Sequence, residues 1–131
     1  MRKRFMLSII QLWNGGCRVK LQFLYHPVPN AVEAARFYRE HFGWTELWRE
    51  QDMTIGIKMS GTDVMLMLDQ DDGELTPGGF FEVPSVDDFY EEKKDVLQFN
   101  GPPKDIPGGR YALFRDPGGN VVRILDSTKE Q

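Results

Sequence analysis

One short signature occurs twice in the chain. Val28-Pro29-Asn30 follows an apolar stretch and opens a segment containing Phe37-Tyr38, and Val83-Pro84-Ser85 follows another and opens a segment containing Phe89-Tyr90. In each copy a strand-like run meets a helix through a proline and a short capping side chain. An internal repeat within 131 residues implies two similar modules sharing one core.

The first module reads from residue 19 to about 70. Val19 to Pro27 has the bulk of a strand, with Leu21, Phe23, Leu24 and Tyr25, and Pro27 and Pro29 end it. Asn30 with Glu33 three residues on gives a helix N-terminus, and Gly43 a stop. Ala31, Ala34, Ala35, Tyr38 and Phe42 fall on one face of that helix. Three strands are expected next, Thr45–Glu50, Thr54–Met59 and Asp63–Leu68, with a turn at Gly61. The acidic stretch from Asp69 to Gly78 reads as a solvated linker, and its Asp69, Asp71 and Asp72 lack the spacing of a calcium loop.

The second module, about 78–127, repeats the order. Gly79–Val83 is a short strand. Ser85 caps a helix with Asp87 and Asp88 in its first turn and Val86, Phe89, Tyr90, Lys93 and Leu97 at helical spacing. Lys104–Pro107 reads as an edge strand, and Arg110–Arg115 and Asn120–Asp126 flank the turn Asp116-Pro117-Gly118-Gly119. The expected fold class is therefore α+β: two tandem βαβββ modules forming a curved mixed sheet, helices on one face and an open cleft on the other.

A net charge of -4, with acidic and basic residues interspersed, excludes the basic face that nucleic-acid binding needs. A single cysteine, Cys17, rules out an internal disulfide and fits a cytoplasmic protein. Its neighbours Asn14-Gly15-Gly16 read as loop and include no base to activate a thiolate. Residues 1–18 mimic a secretory leader, but Gln11, Trp13 and Asn14 break the apolar run; they read as a poorly ordered extension, or as residues upstream of the true start, before one domain over 19–131. No other run is long enough to span a membrane.

Two stretches carry a family resemblance. Val28-Pro29-Asn30 leading to Ala35-Arg36-Phe37-Tyr38 and His41-Phe42-Gly43-Trp44, and Phe114 to Asn120 followed by Val121-Val122-Arg123-Ile124, resemble the vicinal-oxygen-chelate superfamily of glyoxalases, bleomycin-resistance proteins and extradiol dioxygenases. The likeness runs from about Val19 to Ser127. It implies homodimers, and in metal-dependent members a set of His or Gln, Glu, His and Glu donated by four strands. Carried over singly, those positions fall on Phe23, near Met65, near Gly78 and on Arg123. None is a donor that suits a hard or borderline divalent ion. No metal and no other cofactor is expected.

What remains for the cleft is a ligand site. Arg123 can bind a carboxylate or phosphate, or it can pair internally with Glu82. Phe23, Tyr25, Met65 and Met67 would form an adaptable apolar wall or fill core. Trp44 and Trp48 pack, or stack on a planar ligand. Glu82 is the weak candidate for an acid or base. His26 alternates away from Phe23 toward a helix, His41 suits a helix C-terminus, and Asp126 ends the last strand. The leading expectation is a metal-independent protein that binds a small organic molecule; an enzyme of the superfamily is the alternative, either a lyase or dioxygenase with displaced ligands or a metal-free acid–base isomerase. An accessory domain with no ligand of its own is a third possibility.

Overall fold

The computed structural model describes residues 18–71 and 75–129. The expectations placed on the N-terminal extension, including Cys17, and on Asp72 lie outside the described residues. The first module comprises β1 (Lys20–Val28), α1 (Ala31–Phe42), β2 (Thr45–Glu50), β3 (Thr54–Lys58) and β4 (Met65–Gln70). The second comprises β5 (Gly78–Glu82), α2 (Val86–Lys93), β6 (Gln98–Phe99), β7 (Lys104–Ile106), β8 (Gly109–Arg115) and β9 (Val121–Leu125). They form one curled mixed sheet in the order β2-β3-β4-β1-β5-β9-β8-β6, with β7 also on β8.

The repeat survives in the pairing. Each module's first strand lies parallel to its last, β1 to β4 and β5 to β9, and the two modules join where β1 runs antiparallel to β5. The second module departs from the expected count. β6 and β7 each pair with one end of β8, so together they do the work of β2. The break between them falls at Asn100-Gly101-Pro102-Pro103, where two prolines lack the N–H that a ladder requires and Gly101 has φ 137°. β4 also starts and ends later than expected, so Asp69 and Gln70 are ladder residues and not linker.

Strand alternation sends one set of side chains toward each helix. Ile55, Ile57, Leu66 and Leu68 are buried under α1 with Ala31 and Ala35. Val83, Ala112 and Ile124 are buried with Val86 and Phe89 of α2. Burying each such aliphatic side chain contributes about 1.5–3 kcal/mol. The helix boundaries follow their caps. Asn30 Oδ1 accepts from Glu33 N at 2.9 Å, Gly43 has φ 71° and donates to Arg39 O at 3.1 Å, and Ser85 Oγ accepts from Asp88 N at 3.1 Å. Phe42, expected on the buried face of α1, is 53% exposed and leans on Tyr38 and Trp44 at the rim. No helix among the described residues is long and apolar enough to cross a membrane.

A second tie links each helix to the last strand of its own module. The first backbone N–H of α1, Ala31, donates to Gln70 Oε1 at 3.0 Å, and that of α2, Val86, donates to Asp126 Oδ2 at 2.7 Å. Asp126 does more than end a strand. It is buried, and its carboxylate also accepts from Arg110 N at 2.9 Å and from the Thr128 hydroxyl at 2.9 Å. Burial pushes its carboxyl up, but the bonds from Val86, Thr128 and Arg110 outweigh burial and hold it below the usual carboxylate range.

The outer edges of the sheet differ. β2 carries the exposed fork of Arg49 to Glu46 (2.6 Å) and Asp52 (2.8 Å). The opposite edge is the broken pair β6 and β7.

Asp126→Ala leaves buried N–H donors without an acceptor and should lower stability at neutral pH by about 3 kcal/mol in denaturant titration. Because the folded carboxyl is depressed, its contribution is present above the unfolded value near 4 and fades as pH falls through the folded value. The gap between wild type and variant should therefore narrow on acidification below about pH 4; a gap independent of pH would remove the charge from the argument.

Candidate functional site

The face of the sheet away from the helices holds a cleft of about 490 Å³. Its floor follows from register. Across the middle, Met65, Phe23, Phe80 and Arg123 stand level on β4, β1, β5 and β9. One step along, Trp48, Gly56, Met67, Tyr25 and Gly78 form a second row, and Glu50, Thr54 and Asp69 a third. Tyr111, Leu113, Leu125 and residues of β7 close the other side.

Of the residues expected at the site, Phe23, Tyr25, Met67 and Arg123 line this cleft. Met65 shares their face beside Phe23 but stands outside the lining. Trp44 does not belong to it: its indole stacks on Tyr38 at 5.5 Å and packs against the core under α1, because it precedes β2 and follows the helix stop. Trp48 takes the cleft position instead. Glu82 is also displaced. It pairs with Lys20 and Leu125 at the end of β5 and lines a separate depression with Arg18, Val19 and Ser127. His26 sits opposite Leu68, which is buried under α1, and burial pushes its imidazole below the ordinary value.

Arg123 is only 4% exposed. Nη2 donates to Thr76 O at 2.8 Å, and the guanidinium carbon lies 4.3 Å from the centre of the Tyr25 ring, a cation–π contact. Nη1 is buried and has no hydrogen-bond partner, and no carboxylate among the described residues forms an ion pair with this cation. Among the described residues no ion pair joins it to Glu82, the internal partner that the sequence left as an alternative. Burial lowers the affinity of Arg123 for its proton, and the nearby Tyr25 and Asp69 oppose that effect.

Asp69 joins this centre through Tyr25. Its Oδ2 accepts from Tyr25 Oη at 2.5 Å and its Oδ1 from Thr54 Oγ1 at 2.8 Å. Tyr25 is thus held by its ring and its hydroxyl at once. Burial first, then the hydrogen bond and charge of Asp69, push its phenol well above the ordinary range, with Arg123 pulling the other way. Counting alternate residues from Met65 places Asp69 on the cleft face, a signal masked by the acidic run that follows it.

Trp48 owes its place to a missing side chain. A Cβ built on Gly56 would run into indole atoms Cε2 and Nε1. The indole therefore lies flat across β3 and meets Phe23 edge-on, with centroids 6.3 Å apart. Phe80 meets both Phe23 (6.3 Å) and Tyr25 (6.2 Å) in the same manner.

The donor set does not suit a divalent ion. The level row offers a thioether, two phenyl rings and a guanidinium, and among the described residues no three His, Cys, Asp or Glu side chains converge. On β5 it is Phe80, not Gly78, that stands level with Phe23 and Arg123.

A family model of the Glyoxalase/Bleomycin resistance protein/Dioxygenase superfamily matches residues 21–124. No curated protein sequence matches the chain. Among solved structures, it is similar to a NAD-dependent benzaldehyde dehydrogenase from Legionella pneumophila, at 18% identity, TM-score 0.67, covering 80% of this chain and 97% of that one. It is similar to the hypothetical protein BH1468 from Bacillus halodurans C-125, at 15% identity, TM-score 0.67, covering 86% and 96%. It is also similar to a methylmalonyl-CoA epimerase from Mycobacterium tuberculosis, at 15% identity, TM-score 0.62, covering 82% and 87%. Likeness at these identities establishes the fold.

Gly56→Val should drive the Trp48 indole off β3 and into water. Tryptophan emission should shift to the red relative to wild type, and Trp48→Phe combined with Gly56→Val should abolish that shift. In an alkaline absorbance titration, one of the four tyrosines should ionise well above the others, and Tyr25→Phe should remove that late step. Because the folded phenol is raised, its stabilising contribution is complete below about pH 10 and is lost as pH rises above it.

Proposed function

The chain belongs to the glyoxalase/bleomycin resistance protein/dioxygenase superfamily, and on that premise we propose that it is a binding protein that holds a small organic molecule in its cleft without a metal ion. The observation that carries the reading is the composition of the cleft: mainly aromatic and apolar walls, with Glu50, Thr54 and Asp69 in one row, around one buried arginine whose Nη1 is unused. A concave apolar site with a few polar groups is what small-molecule recognition requires, and its volume of about 490 Å³ lies within the range of roughly 300–1,000 Å³ typical of ligand pockets. Phe23, Trp48 and Met67 would exclude water from the occupant, and Arg123 would orient it. A cytoplasmic location and pairing into homodimers belong to the same proposal, supported by cysteine usage and by the family resemblance.

A metal-free acid–base isomerase is the second reading, favoured by one observation. The Tyr25–Asp69–Thr54 hydrogen-bond chain places a carboxylate and a phenol beside a cation on one wall. Asp69 would serve as the proton acceptor in place of Glu82, with Arg123 stabilising the resulting oxyanion. The metal-dependent reading has no convergent donor set among the described residues to support it.

Metal analysis separates the metal-dependent reading from the two metal-free ones. Untagged protein incubated with Zn, Ni, Mn or Fe(II) should retain substoichiometric metal and show no change in melting temperature. Stoichiometric retention with a raised melting temperature would defeat the metal-independent reading. A cleft ligand at a hundred times its Kd should stabilise the fold by about 2.7 kcal/mol.

A further inference from the structure

A small-molecule cleft leaves the class of occupant open. Resting on the binding reading, we propose that the occupant is a planar aromatic molecule with a single negative charge, its ring set against Trp48 and Phe23 and its oxyanion turned toward Arg123.

The charge follows from what Arg123 lacks. A guanidinium only 4% exposed, stacked on one face and held by a single carbonyl, has no counter-ion among the described residues. A buried cation without a counter-ion is unfavourable, and a buried N–H without an acceptor adds to that cost. Asp69, linked to the guanidinium through Tyr25, is already engaged by two hydroxyls. The missing partner is an anion from outside. Gly78 borders the guanidinium, where a Cβ would come to van der Waals distance of Nη1, 3.4 Å.

The shape follows from the rings. Phe23 meets Trp48 and Phe80 edge to face, and Phe80 meets Tyr25 likewise. Rings at near right angles present an aromatic corner, in which a further ring gains stacked contact with one and edge contact with the other beyond simple burial. Gly56 leaves the room that seats the indole against β3, so the corner is built before the ligand arrives.

The count of one charge follows from the carboxylates that share the cleft. Glu50, Thr54 and Asp69 form the row farthest from Phe80, and both carboxylates line the cleft. A second negative group at that end would meet like charge, which discriminates against dianions.

Two fluorescent probes of matched shape test this. Anilinonaphthalene sulfonate carries one negative charge, and N-phenylnaphthylamine is its neutral counterpart. The sulfonate should bind at one site per chain, about tenfold or more tighter than the neutral probe, as a charge-assisted hydrogen bond requires. Arg123→Met should reduce the sulfonate to the affinity of the neutral probe and leave the latter unchanged, and Trp48→Leu should weaken both. Naphthoate should displace the sulfonate at about a tenth of the concentration naphthamide needs, a comparison on the unaltered chain that decides even if Arg123→Met does not fold. Equal binding of both probes, or equal displacement by both competitors, would overturn the anionic assignment while leaving a small-molecule cleft in place. Sulfonate binding untouched by both substitutions would place the probe outside the cleft and overturn the inference. Failure of every probe and competitor to bind would defeat the binding reading itself.

Discussion

Strands β1 and β5 run antiparallel down the middle of the sheet, with Phe23 opposite Phe80 and Tyr25 opposite Gly78, and the rest of the architecture hangs from that register. It joins two modules that would otherwise each have an open edge. It also fixes parity. A slip of one residue would exchange Phe23 and Tyr25 for Leu24 and His26, placing an imidazole in the cleft and two large rings against a helix packed for aliphatic side chains. The bulge between Leu21 and Phe23 falls just before the cleft residues, so the ladder absorbs its irregularity outside them.

Within that frame, Tyr25 connects the two charged poles of the site. Its ring supports a cation and its hydroxyl donates to an anion. Arg123 and Asp69, on strands of different modules, therefore interact through an aromatic side chain on a third strand. Direct pairing would have left both satisfied and the cleft electrically quiet. Keeping them apart leaves the Nη1 group of Arg123 unpartnered beside a largely apolar cavity. Structural ion pairs elsewhere in the chain, such as Arg110 with Asp87 and Asp105, are exposed and contribute little by comparison.

Much of the fold was legible in the sequence because the repeat, the caps and the turns are local signals. Asn30, Gly43 and Ser85 act where the pattern placed them, and the alternation of Phe23 and Tyr25 against His26 held across the sheet. What was missed has physical reasons. Asp69 sits in an acidic run whose composition resembles a linker, and only its pairing with Pro27 and Thr54 makes it a strand residue. Trp44 and Trp48 are equally bulky and only four residues apart. Which of them enters the cleft depends on Gly56, a residue on another strand that no local pattern connects to either. Glu82 shares parity with Phe80 but stands beyond the end of the cavity, a matter of length and not of alternation. The split of β6 from β7 was hidden because Pro102 and Pro103 signal a break without saying that a strand resumes on the same neighbour.

The two rims of the sheet are finished differently, and that difference limits how copies of this protein can associate. Along β2 an arginine fork with two carboxylates stands at the rim, and at the other end the outermost strand is cut into lengths of two and three residues. Neither rim offers a long, flat, uncharged strand on which another chain could template itself. A nine-stranded sheet so closed to lateral growth resists runaway stacking. The faces and helices lack that repeating ladder, and contact through them depends on shape and stops at a defined number of partners.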